Sequence, residues 1–281
     1  MAAGQQNNNT VAIIQARLKS TRLPGKILMP MPVTGEVTII ERIVKSLKKS
    51  QLINEIYIAT SVNPENDSLE ELCQKNAIKS YRGSEEDVLS RFVNILDHKK
   101  YKTAVRLTAD NPVLDYNILD KVIIKHHKTG ADYTKTKGLP LGMNFEVFEA
   151  DSLLKFKAMD LSEDEKEHVT VKFRNDNSFD TNIINLNQKL SDVRLTIDYP
   201  EDYLVVSTLF QLAEKFDKEI NLEFINFVNH HYPWLLKINK KSTQKGVYNS
   251  LEEEIIDVIP ILSNLDFKRT VYHLENFVKS N

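Results

Sequence analysis

Four cations fall within ten residues of one another, Arg17, Lys19, Arg22 and Lys26, in the stretch VAIIQARLKSTRLPGKIL that runs from Val11 to Leu28. Two hydroxyls, Ser20 and Thr21, and a rigid Leu-Pro-Gly-Lys step are interleaved with them. A solvated turn would be served by Asn and Gly. So much positive charge directly after an apolar run calls for an anionic partner. Two carboxylates could share such a site: Asp110 in VRLTADNP and Asp198 in VRLTIDYP each step off a strand-like run beside a proline. Magnesium takes oxygen ligands, keeps one or two protein carboxylates and completes its shell with water and substrate phosphates. Two aspartates from separate strands, facing a cationic loop, would make a metal–triphosphate site. Either Asp alone reads equally as a turn former or a helix N-cap, so the functional reading rests on the combination.

The elements that must hold these residues alternate. Val11–Gln15, Glu55–Thr60, Ile78–Tyr81 and Thr103–Ala109 read as strands. Helical patterns lie between and after them, at Val37–Lys49, in the segment after Asn66 and Asp67, in one opened by a Ser84/Asp87 capping box, and at Tyr116–Lys128. This order predicts an α/β fold with a mainly parallel, mixed central sheet and helices on both faces. In the second half, Phe145–Phe148, Thr181–Leu186 and Val193–Ile197 are expected strands. Ser152–Ala158, Glu163–Phe173, a segment opening near Pro200 and running to about residue 215, and NLEFINFVNHHYPWLLK are expected helices, with Trp234 as an anchor. Residues 1–10 read as a disordered leader, 11–238 as the main domain, and 239–281 as a linker with a small C-terminal helical extension that docks on the domain or on a partner subunit. Ligands of open parallel sheets gather at the carboxyl ends of strands, which is where the basic loop lies.

The 281 residues carry 37 basic and 39 acidic side chains for a net charge of −2, which argues against a nucleic-acid-binding surface but leaves room for a local basic pocket. The single cysteine, Cys73, excludes an intramolecular disulfide and a Cys-based zinc cluster and reads as buried in a helix. No run of about eighteen apolar residues implies a membrane span, and the start lacks the pattern of a signal peptide, so a cytoplasmic location is expected. There is no G-x-G-x-x-G, and Leu-Pro-Gly-Lys-Ile lacks the upstream glycine and the following hydroxyl of a P-loop. The pairs His126–His127 and His230–His231 point about 100° apart on a helix and are not expected to chelate.

The segment IIQARLKSTRLPGK resembles the A-R-x-x-S-x-R-x-P-x-K signature of the cytidylyltransferases that activate acidic sugars as CMP-sugars and, among these, the SpsF-like spore-coat polysaccharide branch. The likeness continues in order through ATSVNPEND, YRGSEEDVLSRF, RLTADNPVLD, FEVF, EHVT and RLTIDYPEDY, covering roughly residues 11–215. It implies a Rossmann-like, GT-A-like nucleotide-diphospho-sugar transferase fold. It also implies transfer of CMP from CTP to a small anionic acceptor with release of pyrophosphate, in surface-glycan synthesis, by a homodimer using Mg2+. Under it Ala16, Arg17, Ser20, Arg22 and Lys26 would hold the triphosphate, with Arg17 and Lys26 neutralising charge on the α-phosphorus and leaving group. Asp110 and Asp198 would be the metal ligands. Arg82, Gly83 and Ser84 would line the base pocket, and Asn144, Glu146 and His168 would face the acceptor. Three departures stand out: Lys19 and Ala109 where glycine is common, and Asn144 where aspartate is common. A GT-A-type glycosyltransferase and a CTP-sensing module without turnover are the alternatives, separated by product analysis and by binding without turnover.

Overall fold

Strand β1, Thr10–Gln15, is buried almost throughout because its alternate side chains feed two cores. Ala12 and Ile14 enter one face of the sheet, and Val11 and Ile13 the other. It pairs in parallel with β2, Glu55–Ser61, on one side and with β4, Thr103–Thr108, on the other. Strand β3, Lys79–Gly83, pairs in parallel with β2. The computed structural model describes residues 9–98, 101–186, 190–240, 242 and 250–280. Three further strands, β5 (Tyr133–Lys137), β6 (Glu146–Glu149) and β7 (Thr181–Asn185), complete a seven-stranded sheet of order β3-β2-β1-β4-β6-β5-β7. Only β6 runs against the rest: it is antiparallel to β4 and β5, while β7 is parallel to β5. The mixed α/β sheet expected from the sequence is therefore present.

The helices are α1 Ile39–Leu47, α2 Asp67–Lys75, α3 Val88–Asp97, α4 Tyr116–Thr129, α5 Ala150–Leu154, α6 Glu163–Glu167, α7 Val171–Asn175, α8 Pro200–Lys215 and α9 Leu222–His231. Helices α1, α2, α4, α8 and α9 bury their apolar stripes in the core that holds Ile14, and α3, α5 and α7 in the core that holds Ile13. Each is a short amphipathic element whose stability comes from that burial, at about 25 cal/mol per Å² of apolar surface, more than from intrinsic propensity. Cys73 lies fully buried in α2, and burial pushes its thiol up to about 12. Chain contacts divide the protein into residues 1–240 and 241–281. The second unit holds two helices, α10 (Leu251–Asn264) and α11 (Lys268–Ser280), packed on each other across a turn in which Asp266 has φ 64°.

Several sequence expectations are corrected. Thr10, assigned to the leader, is the first residue of β1; residues 1–8 lie outside the described residues. Ser84 does not cap α3: its hydroxyl accepts from the Asp87 N–H at 3.1 Å, and Asp87 is the cap, accepting from the Ser90 N–H at 2.8 Å. The segment 193–197 is extended without being a strand. It makes one bridge, Leu141 with Arg194, and the Ile197 N–H donates to the Asp110 carbonyl at 2.8 Å. A ladder cannot propagate there because its neighbours are the turn at Gly142 and the loop at Asp110. Gly142 has φ 98°, and a Cβ on it would lie 2.7 Å from the Thr196 nitrogen.

The single helix expected over 163–173 is two, broken at Val169, which has φ 51° and a fully buried side chain. A β-branched residue in that region is strained; the break seats Val169 in the core and lets Thr170 turn toward the sheet. Strand β5, Tyr-Thr-Lys-Thr-Lys, was not anticipated because its polar alternation lacks an apolar signal. Trp234 is 62% exposed, and the buried anchors after α9 are Leu235 and Leu236.

Candidate active site

The basic loop leaves β1 by a well-defined path. The Ala16 N–H extends the ladder, donating to Ala59 O at 3.1 Å. Two residues on, the Leu18 N–H donates to the side chain of Asn66, which is fully buried and itself donates to the Ser61 hydroxyl at 2.8 Å. The Ser20 hydroxyl accepts from the Leu23 N–H at 3.3 Å, and the Gly25 N–H donates to Leu18 O at 3.1 Å, closing the loop on itself. Gly25 sits in the left-handed region at φ 69°, which turns the chain into a single 3-10 turn beginning at Lys26. The Lys26 side chain is thereby carried inward, and the residue is 9% exposed.

The Lys26 ammonium reaches three acceptors. It donates to the Ile197 carbonyl, to Asp198 Oδ1 at 3.1 Å and to Asp110 Oδ2 at 3.5 Å. The two carboxylates singled out in the sequence therefore converge on one positive centre. Asp110 follows β4 by two residues, and its Oδ1 accepts from the Thr108 hydroxyl at 2.6 Å. Arg22 also reaches Asp198 Oδ1, at 3.0 Å, with its guanidinium 4.8 Å from the centre of the Tyr199 ring, a cation–π contact. The remaining oxygen, Oδ2, accepts from Arg194 at 2.9 Å. Burial alone would raise the Asp198 carboxyl, but Lys26, Arg22 and Arg194 outweigh it and hold the group below the usual carboxylate range. Asp110 Oδ2 and Asp198 Oδ1 are the oxygens that could take a divalent cation. Both carboxylates face a single positive centre, which is the arrangement that a cation bound between them would need. Among the described residues no group of three or more His, Cys, Asp or Glu side chains is arranged to hold a metal, so these two carboxylates would leave coordination positions for water and phosphate.

A second polar cluster is built around Arg106 of β4. Glu146 Oε2 accepts from Arg106 at 2.6 Å, while its Oε1 accepts from the Thr170 hydroxyl at 2.9 Å and from the Tyr133 hydroxyl. Arg106 also donates to Gln15 Oε1 at 3.1 Å. Desolvation works to raise the Glu146 carboxyl, yet Arg106 and the hydrogen bonds from Tyr133 and Thr170 keep it low. Tyr133 is pushed well above the usual phenol range by burial and by Glu146.

The other residues singled out in the sequence are placed as follows. Arg17, with a side chain 53% exposed, pairs with Glu85 at 3.2 Å; Glu85 also accepts from Asn63 at 3.2 Å. Arg82 donates to the carbonyls of Ser61, Val62 and Asn63 and pairs with Asp67 at 2.7 Å, clamping the loop after β2. The Gly83 carbonyl accepts from the Val62 N–H at 2.9 Å, and the Ser84 carbonyl accepts from buried Arg91 at 2.6 Å. Asn144 is spent on its own turn, accepting from the Thr136 hydroxyl at 3.2 Å and donating to Leu139 O at 3.3 Å. His168 pairs with Asp164 at 3.3 Å near the surface, and it is Thr170, two residues on, that reaches Glu146. Arg22, Lys26, Asp110 and Asp198 are thus brought together, Glu146 lies in a neighbouring cluster, and Arg82, Asn144 and His168 are engaged elsewhere.

Sequence reasoning missed Arg106, Gln15, Tyr133, Thr170, Asn66, Arg194 and Asp202. The last two sat in plain view in RLTIDYPEDY, four residues to either side of Asp198.

Comparison with known proteins follows the same outline. A family model described as cytidylyltransferase matches residues 11–238. The spore coat polysaccharide biosynthesis protein SpsF of Bacillus subtilis is 35% identical over 232 residues, which is 80% of this chain and 95% of that protein. Among solved structures, a cytidylyltransferase from Leptospira borgpetersenii superposes with a TM-score of 0.73 at 26% identity, covering 86% of this chain and 99% of its own. A CMP:2-keto-3-deoxy-manno-octonic acid synthetase complexed with CTP shares the fold, with a TM-score of 0.58 at 15% identity over 74% of this chain and 99% of its own.

Proposed function

The chain belongs to the cytidylyltransferase family and is a nucleotidyltransferase; from that premise we propose that it transfers CMP from CTP to a small anionic acceptor, with magnesium held by Asp110 and Asp198. The observation that carries this reading is the Lys26 ammonium, held at 3.1 Å from Asp198 and 3.5 Å from Asp110 at the foot of the basic loop. It puts a cation for phosphate and two oxygens for a metal in one place. What a bound magnesium ion supplies is Lewis-acid neutralisation of phosphate charge.

This chain's own residues then have definite tasks. Arg17, Arg22 and Lys26 bind the triphosphate, and Lys26, the most buried of them, neutralises the charge that grows on the α-phosphoryl group and the leaving group. An acceptor oxygen forms its bond to the α-phosphorus in line with the bond to the bridging oxygen that breaks. Pyrophosphate departs with that electron pair, and the acceptor's proton passes to solvent. Positioning and charge neutralisation supply most of the rate in such transfers. The Arg106–Glu146–Tyr133–Thr170 cluster borders the acceptor side and holds its polar groups in a fixed arrangement. With a spore-coat polysaccharide protein among the relatives, the acceptor class that fits is a sugar acid or sugar phosphate destined for a surface glycan, handled by a cytoplasmic homodimer.

A nucleotide panel in a thermal-shift assay, with and without magnesium, tests the donor. CTP should raise the melting temperature, more so with magnesium, and UTP, ATP and GTP should not. Equal shifts from all four nucleotides would refute the cytidine assignment.

A further inference from the structure

Asp198 is held from behind by a pair that contributes nothing to the triphosphate loop. Arg194 is 6% exposed and Asp202 is fully buried. They form a bidentate ion pair, Arg194 Nε to Asp202 Oδ1 at 2.9 Å and the terminal Nη2 to Asp202 Oδ2 at 3.0 Å. The same Nη2 donates to Asp198 Oδ2 at 2.9 Å. Asp202 Oδ2 also accepts the backbone N–H groups of Asp198 at 2.9 Å and Tyr199 at 3.0 Å, at the entry of α8. A third buried side chain, Asn239, ties the pair down, donating to Asp202 Oδ1 at 2.8 Å and to the Arg194 carbonyl at 3.1 Å. Both the main chain and one carboxylate oxygen of Asp198 are therefore fixed, and only Oδ1 turns toward Lys26 and Arg22.

Stability is a weak reason for such an arrangement. A buried ion pair replaced by apolar groups of similar volume is often neutral or stabilising. Geometry is the stronger reason. Magnesium demands near-octahedral coordination and takes carboxylates through one oxygen, whereas calcium tolerates a carboxylate bound through both. Outer partners of a metal ligand set its orientation in this way.

We infer that Arg194 and Asp202 are positioning residues that lock Asp198 Oδ2, present Oδ1 as a one-oxygen ligand, and so make the site select magnesium over calcium. The inference rests on the proposal that Asp198 is a metal ligand. Arg194 and Asp202 touch neither the nucleotide loop nor Asp110 in any described contact, so their effect passes through Asp198.

Binding tests this without turnover. The dissociation constant of CTP for the full-length protein is measured by calorimetry without metal, with magnesium and with calcium, for wild type, Arg194→Lys and Asp202→Asn. Wild type should show a larger tightening by magnesium than by calcium. In both variants the magnesium effect should fall about tenfold, the calcium effect should hold or grow, and metal-free binding should stay within about twofold. Equal loss of both metal effects, or an unchanged magnesium effect, would overturn the inference. Should either variant fail to fold, Asn239→Ser loosens the pair without removing a charge and should move the magnesium-to-calcium ratio in the same direction by about threefold; an unchanged ratio there counts against the proposal. If neither metal changes CTP binding by the wild type, the metal reading itself fails, and that result is distinguishable from a selectivity that ignores Arg194 and Asp202.

Discussion

Two carboxylate clusters border β4, and they are built on opposite principles. The first joins Asp110 and Asp198 to Arg22, Lys26 and Arg194, and its members come from loops and from segments between elements. The second joins Glu146 to Arg106, Tyr133 and Thr170, and three of those four stand on β4, β5 and β6. In the first, one Asp198 oxygen is shared by two cations and Lys26 reaches Asp110 only at 3.5 Å. In the second, both Glu146 oxygens are taken by close donors, and Arg106 is tied further to Gln15 on β1. A loosely shared cation can be given up to an incoming phosphate. A carboxylate held at both oxygens by three close donors cannot rearrange without breaking several bonds at once. The contrast assigns exchange to the first cluster and rigidity to the second.

Removing Lys26 should break the comparison most severely. Lys26→Ala takes away the cation that, among the described residues, contacts both aspartates, and pyrophosphate release from CTP should fall about 100- to 1000-fold, the usual cost of losing one preorganised stabiliser of transition-state charge. The loss should appear in kcat more than in the KM for acceptor. A variant that kept more than a tenth of wild-type turnover would mean that exchange at the first cluster is not where the rate is made.

The second cluster should respond differently, in stability and in acceptor binding. Glu146→Gln leaves half-buried Arg106, whose side chain is 15% exposed, without its counter-charge, a loss of about 2 kcal/mol, between the exposed and the fully buried cases. Its carboxyl is held low when folded, so it contributes stability above the unfolded carboxylate pKa of about 4.3. That contribution is lost as pH falls through the folded value. Chemical denaturation should therefore show a gap between wild type and Glu146→Gln that is constant near neutrality and narrows below about pH 4. A gap independent of pH down to acid unfolding would mean that the ion pair is not its source.

The two clusters also differ in how far they could be read from the chain. Strands β1 to β4 and helices α1 to α4 announce themselves by apolar period, and they place the basic loop and Asp110 correctly at strand ends. The second half of the sheet gives weaker signals. Strand β5 alternates Thr and Lys, so periodicity offers no apolar face, although Tyr133 at its start is a core residue stacked 5.3 Å from Phe173. Segment 193–197 is apolar enough for a strand but makes only one bridge, because its partner is a turn. Asp198 stands out by its place at the end of an apolar run beside a proline, but its holders do not. In an extended chain four residues is no contact distance, and only the bend at Asp198–Tyr199 into α8 folds Arg194 back on Asp202. Long-range pairs such as Arg106 with Glu146, forty residues apart, follow from strand register, which a single sequence does not specify.

The smallest expected effect sharpens the comparison from the side of the loop. Lys19 is exposed and makes no ion pair among the described residues, unlike Arg17 and Arg22 beside it. Its charge can act on an incoming nucleotide only through solvent, where the interaction is worth less than about 1 kcal/mol and is screened beyond about 8 Å at physiological salt. Lys19→Gly should therefore leave kcat and melting temperature nearly unchanged and raise the KM for CTP two- to fourfold at low salt, within that same energetic limit. The difference should vanish by about 0.5 M salt, as screening shortens the reach of an exposed charge. Lys26, buried and in direct contact with its partners, should show no such salt dependence in the effect of its removal. If the Lys19 effect persisted at high salt, the side chain would be in direct contact with the bound nucleotide, and the cations that exchange partners would include the exposed rim of the loop as well as its buried foot.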